Sequence, residues 1–152
     1  MKRNKDIKVL LVDDEEAFVN TLAQRLKMRD LNVQTVYDGD QALTKVRSEE
    51  PDVMVLDLKM PGLHGMDVLR EIRKAYPNMQ VIILTGHGTD KDEEDARRLG
   101  GFDFLRKPAD IETLVGKIKE AYAEKIERAM TAIAFAEEGD FDTARKIIKE
   151  QE

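Results

Sequence analysis

The sequence contains no cysteine among its 152 residues. Disulfide bonds, thiolate metal sites and cysteine nucleophiles are therefore all excluded. Histidine is almost as scarce, since His64 and His87 are the only two. Two histidines without matching partners do not favour a zinc site. A metal bound by this chain would have to be held mainly by oxygen ligands.

The sequence also has no apolar run that approaches the ~20 residues needed to span a bilayer. Basic residues at the N-terminus precede a short apolar run, but two aspartates interrupt it and no small-residue cleavage site follows, so it is not read as a signal peptide. The formal net charge of −6 disfavours the phosphate contacts on which nucleic-acid binding depends. We expect a cytoplasmic protein with no membrane association and no direct DNA binding.

Apolar and helical patterns alternate along the chain. Five short apolar runs, most of them rich in β-branched residues, are typical of strands buried on both faces. Helix-like stretches lie between them, the first of them opened by aspartates suited to capping. This alternation predicts an α/β fold with a doubly wound parallel sheet. The predicted strands are residues 7–12, 31–36, 52–56, 81–84 and 102–105, and the predicted helices are residues 15–28, 40–47, 65–76, 89–99, 110–138 and 141–150.

The helix predicted at residues 89–99 is unusually polar. Only Ala96 and Leu99 can anchor it to a core. Such a charge run is usually a solvated helix face, and few buried contacts also make an element easy to shift. The two interpretations are compatible.

The helix predicted at residues 110–138 is longer than one layer of the sheet requires. At ~1.5 Å per residue it would span roughly 43 Å. Gly139 and Asp140 then predict a turn into a short last helix. We therefore expect one domain at residues 1–124 and a helical extension at residues 125–152.

Polar residues follow four of the five predicted strands: Asp13 and Asp14, Asp57, Thr85, and Lys107. An aspartate after a strand is most often a helix cap, and a lone lysine is most often solvated. However, parallel strands bring their carboxyl ends to one edge of the sheet, where open α/β sheets bind ligands. The joint placement therefore favours a functional site over five unrelated surface residues.

The residue types at these positions suit phosphoryl transfer. Carboxylates brought together repel and raise one another's pKa unless a cation intervenes. Asp13, Asp14 and Asp57 offer only hard oxygen ligands, which favours Mg²⁺. With a hydroxyl from Thr85 and an ammonium from Lys107, the set has the parts for phosphoryl transfer to Asp57.

Four segments carry a strong resemblance to the receiver domain of bacterial two-component response regulators. The resemblance covers roughly residues 6–124. The segments are VLLVDDE (residues 9–15), DVMVLDLKMPGLHGMDVL (residues 52–69), VIILTGHG (residues 81–88) and GFDFLRKPAD (residues 101–110).

This resemblance implies a fold and a metal site. The sheet would have five strands in the flavodoxin-like order 2-1-3-4-5. Asp57 would accept a phosphoryl group from a histidine kinase or a phosphotransfer protein. Asp13 and Asp14 would hold Mg²⁺ together with Asp57 and the Lys59 main-chain carbonyl.

The resemblance also implies a switch. Thr85 would move toward the phosphoryl group while the ring of Phe104 turns inward, although Phe104 taken alone is read more simply as a core aromatic. The bond between Lys107 and Pro108 would be cis.

Two further positions, Lys59 and His87, invite a separate hypothesis. In similar receivers these positions flank the path of the hydrolytic water, so their side chains would tune the lifetime of the phosphoryl group. The alternative is that both side chains simply point to solvent.

The function implied is a phosphorylation-dependent signalling switch that acts on a downstream protein target through protein–protein contacts. The chain would not be an enzyme, beyond assisting its own phosphorylation and dephosphorylation. One alternative is a Mg²⁺-dependent aspartate phosphohydrolase, but such enzymes need a second aspartate where this chain has Lys59. Another is a phosphorylation-independent receiver-like module, against which the intact set of Asp14, Asp57, Thr85 and Lys107 argues.

The C-terminal extension admits three interpretations. It could dimerise through its apolar stripe, fold back as a hairpin onto its own domain, or serve as a docking helix for a partner. The break at Gly139 and Asp140 favours a hairpin over one uninterrupted coiled coil. We expect a helical hairpin that also mediates formation of a homodimer.

Overall fold

The structure of the chain, a computed structural model, describes residues 7–60 and 62–149, and of Lys149 only the backbone. Within these residues five strands alternate with helices, and every predicted strand and helix is confirmed to within one residue at each end. The predicted end of the last helix at residue 150 lies outside the described residues. The elements are β1 (Lys8–Val12), α1 (Glu16–Lys27), β2 (Asn32–Val36), α2 (Gly39–Ser48), β3 (Val53–Leu56), α3 (Gly65–Ala75), β4 (Gln80–Thr85), α4 (Asp90–Arg98), β5 (Asp103–Arg106), α5 (Ile111–Glu137) and α6 (Phe141–Lys149).

The strands form one parallel sheet in the order β2-β1-β3-β4-β5, which confirms the predicted fold class. The last residues of the three strands β2, β1 and β3 lie side by side, since Val12 at the end of β1 pairs with Val36 on one side and with Leu56 on the other. Because all pairs are parallel, the carboxyl ends of the five strands share one edge.

Apolar side chains cover both faces of the sheet. Alternate residues of each strand point to opposite faces, so Leu11 and Val55 pack with helices α1 and α5, whereas Leu10 and Leu56 pack with helices α2 and α3. Burial of one such side chain contributes roughly 1.5–3 kcal/mol. The sheet is therefore a rigid base on which the polar residues at its edge are placed.

The expectation that aspartates cap helix α1 is wrong. Its N-cap residue is Glu15, which makes no capping hydrogen bond through its side chain. Asp13 instead accepts a hydrogen bond from the Glu15 amide through Oδ1 (2.9 Å), and its other oxygen faces Lys107. The carboxylate remains in the cleft at the sheet edge because both of its oxygens are already held there.

Helix α4 has the sparse anchoring that its sequence predicts. Ala96 is its only buried residue, and Leu99 packs partly buried beside it. A capping box between Thr89 and Asp92 fixes its first turn. Local capping rather than core burial therefore holds the start of this helix.

Helix α5 extends past the sheet, and α6 folds back against it. The 27 residues of α5 span about 40 Å. The chain then turns at Gly139, whose φ of 84° is in the left-handed region. Ala132 of α5 and Ala144 of α6 are buried where the two helices pack. The predicted helical hairpin is confirmed.

A partly buried ion pair fixes α5 where it leaves the sheet. Lys125 Nζ donates to Asp52 Oδ1 (2.7 Å), and the second oxygen of Asp52 accepts from the Lys8 amide (2.9 Å). Asp52 directly precedes β3 and Lys8 begins β1, so this contact lies at the amino-terminal edge of the sheet. The part of α5 after Lys125 therefore projects from the edge opposite the carboxyl ends of the strands. Within the described residues, no helix has the length and apolarity needed to cross a membrane.

We predict that Asp52→Ala lowers the free energy of unfolding by about 1–3 kcal/mol, because it leaves the Lys8 amide and the largely buried Lys125 ammonium without their acceptor. Glu94→Ala is the control, since it breaks an exposed ion pair with Arg98 that is worth only about 0.3–0.5 kcal/mol. Urea unfolding of both variants measures the difference. Equal losses in the two variants would contradict the anchoring role of Asp52.

Candidate functional site

Two buried carboxylates lie side by side at the carboxyl edge of the sheet. The strand ladder continues one residue past β1 and β3, since the Asp13 amide donates to the Val36 carbonyl (3.2 Å) and the Asp57 amide donates to the Val12 carbonyl (2.9 Å). Asp13 and Asp57 are only 4% and 3% exposed. With the exposed Asp14, they offer carboxylate oxygens that all lie within 4.8 Å of one another.

Lys107 provides the positive charge for this cluster. Its Nζ donates to Asp13 Oδ2 (2.6 Å) and to Glu15 Oε1 (2.9 Å), and it lies 3.5 Å from Asp57 Oδ2. The ammonium also lies 4.3 Å from the centroid of the Phe18 ring, at a distance suited to a cation–π interaction. The bond that follows Lys107 is cis, as predicted.

Burial and charge act in opposite directions on these groups. Burial raises the pKa of Asp13, the Asp57 carboxylate raises it further, and hydrogen bonds from Lys107 and Glu15 offset only part of the increase. Burial lowers the pKa of Lys107, but its bonds to Asp13 and Glu15 outweigh that effect and leave the pKa raised. Lys107 is therefore charged at neutral pH, whereas the site destabilises the ionised form of the Asp13 side chain.

Glu15 is the exposed member of the Lys107 network. Its side chain is 57% exposed, and the hydrogen bond from Lys107 is the main cause that lowers its pKa. Neither Glu15 nor Phe18 was predicted as a site residue. Glu15 falls inside the VLLVDDE segment, and Phe18 lies one helical turn after Asp14. Their closeness in sequence to Asp13 and Asp14 was the one feature that could have identified them as site residues.

Thr85 is the last residue of β4, and Phe104 lies within the neighbouring strand β5, opposite Ile83. Thr85 is fully buried, and its Oγ1 accepts a long hydrogen bond from the His87 amide (3.4 Å). Phe104 is 6% exposed and packs with Ala96 in the core cluster under α4. The ring of Phe104 therefore already faces inward in this structure.

Gly88 allows this packing. A Cβ atom at position 88 would lie 2.6 Å from Phe104 Cζ and 2.8 Å from Thr85 Cγ2. Arg106 covers the same place from outside, with its guanidinium 5.4 Å from the centroid of the Phe104 ring. It also donates to the Gly88 carbonyl and to Asp90 Oδ1. The loop between β4 and α4 is thus closed over the Phe104 ring. Arg106 was not among the predicted site residues.

Lys59 and His87 are both exposed beside the cluster. The Lys59 amide donates to Asp57 Oδ1 (3.2 Å), which fixes one oxygen of that carboxylate. A hydrogen bond from the Thr89 amide is the main cause that lowers the pKa of Asp92, and the positive charge of Lys59 lowers it to a smaller extent. The Lys59 side chain therefore lies near the start of α4. The structure brings together Asp13, Asp14, Asp57 and Lys107. It places Thr85 at the end of β4 and Phe104 within β5, and it leaves the Lys59 and His87 side chains in solvent at the rim.

Comparisons with known proteins identify the family and the fold of the chain. A family model for the response regulator receiver domain matches residues 9–119. A response regulator receiver domain protein from Clostridium thermocellum is 38% identical, with a TM-score of 0.74 over 78% of this chain and 95% of that chain. A CheY-like receiver domain protein from Methanospirillum hungatei JF-1 is 26% identical, with a TM-score of 0.75 over the same shares. NtrX from Brucella abortus in complex with ADP is 27% identical, with a TM-score of 0.80 over 87% of this chain but only 30% of NtrX.

We predict that Asp57→Asn raises the free energy of unfolding by about 1–2 kcal/mol at pH 7 without divalent cations, because one of two adjacent buried charges is removed. Lys107 loses only its most distant carboxylate partner. The gain should shrink as the pH falls through the folded-state pKa of Asp13. That pKa is raised, so the folded protein keeps a proton which the unfolded chain has released, and wild-type stability improves as the pH falls toward the ordinary value.

Urea unfolding at several pH values tests this prediction. Asp40→Asn removes an exposed carboxylate on α2 and should change stability by less than about 0.5 kcal/mol. Added Mg²⁺ should stabilise the wild type more than the Asp57 variant. A variant that is less stable than wild type at pH 7 in the absence of cations would show that Asp13 and Asp57 do not repel.

Proposed function

The chain belongs to the family of response regulator receiver domains, which are signalling domains of two-component systems, and we propose that Asp57 is its phosphoacceptor. One observation carries this assignment: Asp57 is buried at the end of the central strand β3, with the Lys107 ammonium 3.5 Å from its Oδ2. A carboxylate held this way is oriented before a phosphoryl donor arrives.

The proposed reaction is transfer from a phosphohistidine of a histidine kinase or a phosphotransfer protein. An Asp57 oxygen attacks the phosphorus, the new oxygen–phosphorus bond forms as the phosphorus–nitrogen bond breaks, and the electron pair leaves with the imidazole. Lys107 balances negative charge on the phosphoryl oxygens, and the Thr85 hydroxyl donates to one of them. Catalysis then consists of positioning and electrostatic stabilisation.

The acidic cluster fits a hard divalent cation. Asp13, Asp14 and Asp57 supply carboxylate oxygens close enough to share one ion, and we assign the Lys59 main-chain carbonyl as a further ligand. Mg²⁺ bound there supplies positive charge to the transferring phosphoryl group. Glu15 matters for this arrangement because Lys107 keeps a carboxylate partner when Asp13 is engaged by the metal.

The proposed output is a rearrangement around helix α4. Thr85 and Phe104 both pack beneath Gly88, so movement of the Thr85 hydroxyl toward a phosphoryl group alters the packing of the loop that leads into α4. Among the five helices that cover the sheet, α4 buries the fewest residues, only Ala96, which makes it the least costly of them to displace. A downstream protein that contacts this helix would then distinguish the two states.

We further propose a division of the chain after Glu124 into a receiver domain (residues 1–124) and a helical extension (residues 125–152), although the ends of both lie outside the described residues. The family match ends at residue 119, and Tyr122 is the last residue of α5 in the sheet core. Beyond it, the buried residues Ala132 and Ala144 pack α5 against α6.

We predict that incubation with Mg²⁺ and acetyl phosphate adds one phosphoryl group to the chain, and that Asp57→Asn abolishes the addition because the attacking oxygen is lost. Intact-mass spectrometry measures the product. Asp14→Asn should slow the reaction strongly, whereas Asp40→Asn should leave it unchanged. An adduct that persists in the Asp57 variant would overturn the assignment of the phosphoacceptor.

We also predict that Lys59→Ala shortens the lifetime of the phosphoryl group, because a cation at the rim shields it from water. The effect should reach at most about fivefold, since an exposed ion pair is worth up to about 1 kcal/mol. Loss of the adduct is followed by mass spectrometry after the donor is removed, with Lys91→Ala on the exposed surface of α4 as the control. A phosphoryl lifetime that is unchanged or longer in Lys59→Ala would contradict the shielding role of Lys59.

A further inference from the structure

The side of helix α5 that faces away from both the sheet and α6 carries an exposed apolar stripe, here called the α5 seam. Met130 is 65% exposed in this stripe and Ile133 is 56% exposed, although apolar residues at helical spacing are normally buried against a partner. The spacing of the seam alternates between three and four positions, as at the contact positions of a two-helix coiled coil. Its residues, all exposed, are Lys119, Ala123, Ile126, Met130, Ile133 and Glu137.

Helix α6 does not cover the α5 seam. Ala132 is the residue of α5 that is buried where the two helices pack, and at about 100° per residue Met130 lies roughly 160° around the helix from it. Ile118, which α5 buries in the sheet core, lies within about 40° of Ala132 on the same helical projection. The α5 seam therefore faces solvent in a single chain.

The two ends of the α5 seam carry opposite charges. Lys119 and Glu137 lie about five turns apart, so they are on the same side of the helix. The other basic residues of α5 all form ion pairs: Lys117, Lys125 and Arg128. Lys119 and Glu137 form none within the part of the chain that the structure describes. Both charges are thus available to a partner.

We propose that the α5 seam is self-complementary and that its occupant is the same seam of a second copy, lying antiparallel to it. In this arrangement Lys119 of each copy meets Glu137 of the other, at both ends of the contact. A parallel pair would instead bring lysine to lysine and glutamate to glutamate. The charges therefore select the antiparallel orientation, as charged residues do in coiled coils. A two-fold axis relates the two copies, as in most closed dimers.

The antiparallel register also matches the apolar residues by size. When the end charges are paired, Ala123 lies opposite Ile133, so a small residue faces a large one at each end of the apolar part. Ile126 then lies opposite Met130 in the middle, where the flexible methionine adapts to its neighbour. Glu127 flanks the middle near its own copy, but it is exposed, so solvent and salt screen that repulsion. A single pair of helices is a small interface, and the dimer is therefore weak and reversible.

A second copy accounts for this surface better than other classes of partner. The α5 seam carries one positive and one negative end, so it has no preference for nucleic acid or for an anionic membrane. Its pattern of charge and size matches itself when reversed, which contact with a different protein does not require. The interface lies on α5 and does not rest on the proposed phosphorylation of Asp57.

The first test is the oligomeric state of the full chain by sedimentation equilibrium at concentrations up to about 0.5 mM. Wild type should approach twice the mass of one chain as the concentration rises. Met130→Glu places a charge in the middle of the α5 seam and should weaken association at least about tenfold. Met28→Glu is the matched control, because Met28 directly follows α1 and is 81% exposed. A wild type that stays monomeric, or a Met130 variant that associates as wild type does, would overturn the proposal.

A charge exchange within one chain provides the sharper test. Lys119→Glu or Glu137→Lys alone opposes like charges at both ends of the antiparallel contact and should weaken association roughly fivefold or more. The double variant restores an opposite pair at each end and should associate as wild type does. Far-UV circular dichroism and thermal unfolding establish that each variant is folded. Single variants that associate normally, or a folded double variant that does not recover, would exclude the antiparallel α5 contact.

Discussion

The central constraint in this molecule is the burial of two carboxylates at adjacent strand ends. Asp13 and Asp57 are nearly inaccessible to solvent and repel each other, so a cation must lie between them for both to stay ionised. Lys107 meets that need from the strand end two positions away in the sheet. The strand order follows the same logic, since β1 and β3 must be neighbours and β5 must end close enough for a lysine side chain to reach both.

The helices α5 and α4, which lie on opposite faces of the sheet, are held in place to different extents. On one face, α5 buries five residues in the sheet core and is held by the Lys125–Asp52 ion pair and by a bond between Arg29 of the loop after α1 and Glu112. On the other face, α4 buries one residue and depends on its capping box and on Arg106. Thr85 and Phe104 lie between the acidic cluster and α4, the weakly held helix. The proposed switch therefore uses the part of the fold that costs least to move.

Much of this could be predicted from the sequence because the strands are buried on both faces. Their near-continuous apolar runs mark the strand bounds, and parallel pairing then places Asp13, Asp57, Thr85 and Lys107 at one edge without any knowledge of side-chain contacts. The sequence could not reveal which partner each polar atom takes. Glu15 was only the first residue of a predicted helix, and Arg106 lay one residue past a predicted strand with no role assigned to it. Their roles depend on distances to Lys107 and to Gly88 that only the folded chain defines.

Helix α5 links the acidic edge to the helical hairpin, yet its anchoring opposes transmission between them. It begins beside Lys107, where Asp110 caps it through the Thr113 amide, and it crosses the whole sheet before Lys125 binds Asp52 at the opposite edge. Displacing α5 would break that partly buried pair and uncover five core residues, whereas displacing α4 uncovers only Ala96 of its own residues and the packing around Phe104. Rearrangement driven from the site is thus absorbed by α4 and its loop. On this proposal, phosphorylation changes the surface around α4 and leaves the helical hairpin at the other end of α5 in place.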